Sequence, residues 1–178
     1  MLFFQETGFR RRKPPWLTAE EMGRLRDKAV TCCTDVAAVS PDRKLLLARR
    51  SIHPFKGEWW FIGGGMDPGE REDEACAKHV ARDAGLAIRP DRFLYLDRLQ
   101  SVFAWRQEPP QENGSHTCNF TYAIQLTHEE ATQIRLSPAE YDDRRWFTAD
   151  DVEAEVSAGR IPEPMAAFVR LLREKGLV

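Results

Sequence analysis

Several things are scarce in this chain of 178 residues. It has four cysteines, Cys32, Cys33, Cys76 and Cys118, and no C-x-x-C pair among them. That spacing argues against a zinc site and for reduced, mostly buried thiols. Cys32 and Cys33 are neighbours in a strand-like run and would point to opposite faces. No apolar run reaches the length of a bilayer span, so no membrane partner is expected. The start, "MLFFQETGFRRRKPPW", has only a short apolar stretch, with its positive charge after it. That is the wrong order for a signal peptide, and it leads us to expect a cytoplasmic protein. The net charge is only −2, so nothing global points to a nucleic-acid partner. The basic run Arg10 to Lys13 reads as a solvated arm. Repeats and low-complexity linkers are missing too. The length suits one domain over 1–178, with 1–29 as an N-terminal arm and short helix.

What is present alternates between strand and helix signals. Pro14 and Pro15 keep the arm extended. In "LTAEEMGRLRDKA", Thr18 and Glu21 have capping-box spacing, which predicts a helix. "VTCCTDVAAV" and "KLLLARR", joined by "SPDR", predict a hairpin. "GEWWFIGG" predicts a third strand ending in glycines. Residues 70–84 predict a helix with Ala75, Val80 and Ala84 facing a core and Gly85 as its stop. Two long strands follow, "RFLYLDRLQSVFAW" and "HTCNFTYAIQL", with "RQEPPQENGS" as an exposed loop between them. "RRWFT" reads as a short strand. Thr148 and Asp151 repeat the capping-box spacing before "ADDVEAEVSA". The last helix, "MAAFVRLLREK", carries Met165, Phe168, Val169 and Leu172 on one core stripe. This mixture implies helices covering a mixed sheet, an α+β or α/β sandwich.

The stretch 63–86, "GGGMDPGEREDEACAKHVARDAGL", joins three glycines to an acid-rich turn and a helix. Glycines there allow a close backbone approach to a ligand, or simply a tight bend. Asp67, Glu70, Glu72, Asp73 and Glu74 crowd the helix start, where carboxylates also serve the helix itself. Acids four apart on a helix face can converge on hard divalent cations. Here His79 and Asp83 have that relation, and only Asp83 is acidic. Arg82 would repel a cation or pair with Asp83.

The spacing resembles the Nudix box, the signature of hydrolases that cut nucleoside diphosphates linked to another moiety. Gly64, Glu70, Val80, Gly85 and Leu86 match its pattern over 23 residues. Lys78 stands in for its arginine. His79 and Arg82 replace two of its acids, and Asp83 shortens the third. The box is degenerate, and at most one ion should bind well.

The flanks "LLLARRSIHPFKGEWWFIGGG" and "LSPAEYDDRRWFT" look like the GDP-mannose mannosyl hydrolase branch of that superfamily, which works with one Mg²⁺. Asp35 and Arg50 meet its pattern of Asp, fourteen residues, Arg. The resemblance implies that Arg50 contacts the diphosphate leaving group and that Lys78 takes the box arginine's place on substrate. It implies one Mg²⁺ held by Asp83, Glu140 and the Gly63 carbonyl, with Asp35, Arg50 and Asp83 in the catalytic set. The branch's catalytic histidine is Tyr141 here, and its arginine after the glycine pair is Gly65. A tyrosine of ordinary pKa, about 10, is a poor base at neutral pH.

From the residues alone, Asp35 is either an acid on the solvent face of an edge strand or half of a cross-strand ion pair with Arg50. His79 reads as a helix-surface residue near the site. His53, His116 and His128 fall in loops or at strand ends. Trp59, Trp60 and Phe61 read as sheet packing, with one indole free to stack on a base, and Trp146 as core.

The expectation is thus a Nudix-like α/β/α sandwich with a mixed β-sheet. Its function would be Mg²⁺-dependent hydrolysis of a small nucleoside diphosphate derivative, such as a nucleotide sugar. The alternative is a catalytically inactive nucleotide-binding or regulatory module, and third is a structural partner domain. A homodimer stays open.

Overall fold

Local signals act first. Thr18 accepts from the Glu21 backbone N–H and Glu21 answers at the Thr18 backbone, which starts α1 (Ala19–Arg26). The same reciprocal cap at Thr148 and Asp151 starts α4 (Ala149–Ser157). Each such cap contributes about 1 kcal/mol by satisfying orphan N–H groups. The computed structural model describes residues 3–11 and 17–178, so the predicted Pro14-Pro15 arm and the end of the basic run at Arg12 and Lys13 lie outside the described residues.

The sheet is built around β1 (Thr31–Val39). Its second half, Val36 to Val39, is apolar on both faces and fully covered. Such a run marks a strand buried from both sides. β1 pairs antiparallel with β4 (Ile62–Gly65), where Asp35 lies opposite Gly63, and parallel with β6 (Ser115–Gln125). β2 (Leu45–Arg50) meets β1 only at Val39 and Leu45. Most of β2 pairs with β7 (Tyr141–Phe147), while its far end takes β3 (Trp59–Trp60). β5 (Leu94–Phe103) closes the other edge against β6, and the sheet has seven strands of mixed direction.

The two faces carry separate cores. Val36 and Ala38 pack with Cys76, Val80 and Ala84 of α2 (Glu72–Ala84). Ala37 and Val39 pack with Val152 of α4 and with Met165, Phe168, Val169 and Leu172 of α5 (Pro164–Glu174). The fold is therefore α/β, with helices on both sides of a mixed sheet, as the alternation predicts.

Five expectations change. The "GEWWFIGG" run is two strands, because Phe61 is where the chain leaves β2 and joins β1. The predicted hairpin splays for the same reason: β4 and β7 take the pairing edges that its two arms would have shared. A helix α3 (His128–Gln133) follows β6, capped by Thr127 and Glu130, so His128 is the first residue of a helix and not a loop residue. Only Cys76 is a buried thiol; Cys32 is exposed, since β1 becomes buried only from Thr34 onward. The loop before β6 is not simply exposed. It contains Arg106, whose side chain is sealed and donates to Asp27 at 2.7 Å and to the carbonyls of Gly114 (3.0 Å), Glu108 (3.1 Å) and Pro109 (3.4 Å).

Candidate active site

Gly63 and Gly64 stand in β4 because a side chain there meets its neighbours at once. A Cβ on Gly63 would lie 2.1 Å from the Thr34 carbonyl oxygen and 2.9 Å from Asp35 Oδ1. The loop that follows is organised by Glu70, which is buried. It accepts the Asp67 backbone N–H at 2.8 Å and pairs with Lys78 at 2.7 Å and Arg11 at 3.3 Å. Lys78 also reaches Asp67 at 3.0 Å. The loop acids thus already have cations, and Lys78 is committed to them.

The C-terminal end of α2 builds the second half of the site. Gly85 takes the left-handed conformation, φ 72°, and stops the helix. The orphan carbonyls of its last turn are then taken by the segment before β7: Arg135 N–H donates to Ala84 O and Ser137 N–H to Asp83 O, both at 2.9 Å. This docking carries Glu140 to Asp83. Between them lies the Arg82 guanidinium. Its Nε and Nη2 donate to the two Asp83 oxygens at 2.5 and 2.9 Å, and Nη2 donates to Gly63 O at 3.1 Å. Glu140 Oε1 stands 3.3 Å from Nη2.

The structure therefore brings together Gly63, Asp83 and Glu140, the three positions implied as metal ligands, and it brings them together on Arg82. Arg50 approaches from β2: its Nη1 is 4.0 Å from Glu140 Oε2, its Nε donates to Pro54 O at 2.7 Å, and its guanidinium lies 5.9 Å from the Tyr141 ring centre. Lys78 is not part of this cluster. Asp83 is fully buried, so it acts on anything outside only through Arg82. Burial raises the Glu140 pKa, with Arg82 pulling it back down. Tyr141 Oη lies 3.4 Å from Asp83 Oδ2, and burial together with the Asp83 charge pushes its pKa up, away from any role as a base.

Asp35 corrects both of its readings from the residues. It lies on a central strand, buried, and its carboxylate accepts from Asn119 at 2.8 Å, with no ion pair to Arg50 among the described residues. Burial pushes its pKa up to about 6, against the hydrogen bonds from Asn119 and Trp60 and the field of Arg50. His79 is likewise not a surface residue. It is buried against the glycine run, with Nε2 3.0 Å from Gly65 O. A carbonyl accepts, so Nε2 carries the proton and Nδ1 is bare; Nδ1 is buried with no hydrogen-bond partner among the described residues. Burial, then Arg82 and Lys78, push the His79 pKa down to about 4.

A family model for the NUDIX domain matches residues 26–172. The chain belongs to the NUDIX family. An ADP-ribose pyrophosphatase of Methanocaldococcus jannaschii is 23% identical over 88 residues, 49% of this NUDIX chain and 47% of that protein. The match thus spans about half the length of that relative. The NUDIX domain of Shewanella oneidensis NrtR, solved with ADP ribose, superposes with a TM-score of 0.61 at 18% identity, covering 83% of this chain and 89% of that one. A MutT NUDIX hydrolase from Burkholderia pseudomallei gives a TM-score of 0.58 at 23% identity, covering 70% and 87%. At these identities the superpositions speak to the NUDIX fold.

The resemblance implies one Mg²⁺ at Gly63, Asp83 and Glu140. The donor set does not fit it while Arg82 holds all three oxygen groups. Among the described residues no cluster of three or more His, Cys, Asp or Glu side chains is arranged to hold a metal ion.

Proposed function

We propose that this NUDIX chain hydrolyses a nucleoside diphosphate derivative, with nucleotide sugars and ADP-ribose as the first candidates. The observation that carries this is the pairing of two guanidiniums, Arg50 and Arg82, across the Glu140 carboxylate beside the glycine run. The guanidiniums suit a diphosphate, since each is a permanent positive charge with N–H donors that charged phosphate oxygens accept. Neutralising charge there makes the diphosphate a better leaving group. Glu140 has solvent access where Asp83 has none, so it is placed to take a proton from the attacking water. No step is assigned to the single Mg²⁺ of the resemblance, because Arg82 fills the space between its ligands.

The deciding experiment is a panel of nucleoside diphosphate sugars, ADP-ribose and dinucleotides, with and without Mg²⁺, read by phosphate release and by thermal shift. Turnover is the expected result, falling roughly 100-fold in Glu140→Gln, on the scale of losing a positioned base. One observation favours a second reading, a nucleotide-binding module: Tyr141 stands sealed at the position of the branch's catalytic histidine. Thermal stabilisation without any turnover would establish that reading in place of the first.

A further inference from the structure

We propose that the Arg82 guanidinium is a built-in substitute for a divalent cation, so that this site excludes metal and takes a diphosphate group directly on Arg82 and Arg50. The nucleotide part of the ligand rests on the function proposed above; the substitution itself does not.

Three features support it. First, the oxygens around Arg82 are those a hard cation would need: a backbone carbonyl from Gly63, a sealed carboxylate from Asp83 and a second carboxylate from Glu140. They are not a casual surface pairing, because Asp83 is fully buried and Gly63 admits no side chain. Second, Arg82 is held by three oxygen groups yet remains 46% exposed at its side chain. Its Nε and Nη2 point inward, and Nη1 makes no hydrogen bond among the described residues. Nη1 thus leaves two N–H donors for a ligand, a charged point of contact for phosphate oxygens beside the edge that Asp83 occupies. Third, the charges close. Asp83 and Glu140 are balanced by Arg82 and Arg50, so adding a divalent cation would place surplus positive charge beside a guanidinium with no carboxylate left to meet it.

The test uses two probes on the full chain. Mn²⁺ binding is followed by electron paramagnetic resonance in wild type, Arg82→Gln and Arg82→Glu. Wild type should show no site tighter than about 1 mM, and each variant should gain about tenfold or more in affinity. A tight stoichiometric Mn²⁺ site in wild type would overturn the proposal without reference to any variant's folding. Calorimetry with inorganic pyrophosphate and with ADP-ribose, in chelator and in Mg²⁺, is the second arm. Pyrophosphate should bind wild type in chelator within about threefold of its affinity in Mg²⁺, and about tenfold more weakly in Arg82→Gln. Binding of either ligand only when Mg²⁺ is present would sink the idea. Pyrophosphate binding in chelator with no response to ADP-ribose would uphold the substitution and remove ADP-ribose as the ligand.

Discussion

Arg82 and Arg106 invite comparison. Each gathers carboxylate and backbone carbonyl oxygens around one guanidinium: two carboxylates and one carbonyl at Arg82, one carboxylate and three carbonyls at Arg106. Arg106 is sealed, its side chain 1% exposed, and three of its four acceptors are carbonyls of its own loop, with Asp27 at the end of α1 as the fourth. Arg82 is open on one side, and its acceptors come from three separate elements. The same chemistry thus does two jobs. With every nitrogen engaged, an arginine fastens a loop to a helix. With one nitrogen left over, it becomes a place where something else can bind. Local sequence does not distinguish them, since each is a single arginine between an apolar and a polar neighbour; exposure and the unused nitrogen do.

The largest effect that would sharpen this contrast is expected at the sealed residue. Arg106→Met leaves several loop carbonyls without their donor while Asp27, a third exposed, keeps Asn113, and should cost about 3 kcal/mol, the scale of stranding buried acceptors. Urea denaturation measures it. A loss under about 1 kcal/mol would mean the loop repacks around water and that the sealed cluster is not a clamp. Next is the open residue. Asp83→Asn keeps shape while removing the charge that orients Arg82. Turnover, or pyrophosphate affinity where there is no turnover, should fall by up to roughly 100-fold, the effect of losing a preorganised electrostatic contact. Wild-type behaviour in that variant would show that Arg82 needs no anchor.

Two smaller effects come from the buried groups behind Arg82. Asp35 has a folded-state pKa of about 6, above its ordinary value. Its contribution to stability is complete below about pH 4 and is lost as pH rises through 6. His79 is displaced the other way, to about 4. Its contribution is complete above about pH 6.5 and is lost as pH falls toward 4. Over one window the two slopes oppose each other. Asp35→Asn should therefore gain about 2–3 kcal/mol on wild type between pH 4 and pH 8, and His79→Gln should gain a similar or smaller amount in the reverse direction. Thermal melts at the two pH values read both. Parallel slopes in the two variants would contradict the placement of one of these residues.

Much of the architecture was legible because it is local. Reciprocal caps at Thr18 and Thr148, the buried stripe of α5 and the Gly85 stop all depend on residues within a turn or two. The candidate site was half legible. The family resemblance singled out Gly63, Asp83, Glu140 and Arg50, and the structure brings them to one place. What it hid was the company they keep. Arg82 could be foreseen to pair with Asp83, its neighbour in sequence, but not to reach Gly63 and Glu140. The burial of Arg106 rests on Asp27, 79 residues away. His79 and Asp35 were misplaced for one reason: a period along a strand or helix shows which face is apolar, and cannot show that β1 is central or that the glycine run folds down over α2.

The two-sided strand β1 has a consequence for how this chain tolerates change in length. Val36 and Ala38 serve one core, and Ala37 and Val39 the other. Deleting or inserting one residue ahead of Val36 would exchange the two sets, sending each side chain into the opposite layer. It would also shift Asp35 away from Gly63, and with it the floor on which the Arg82 cluster rests. Substitutions in β1 are errors of fit, confined to one layer. A single-residue slip there is an error of phase, which both layers and the site would suffer at once.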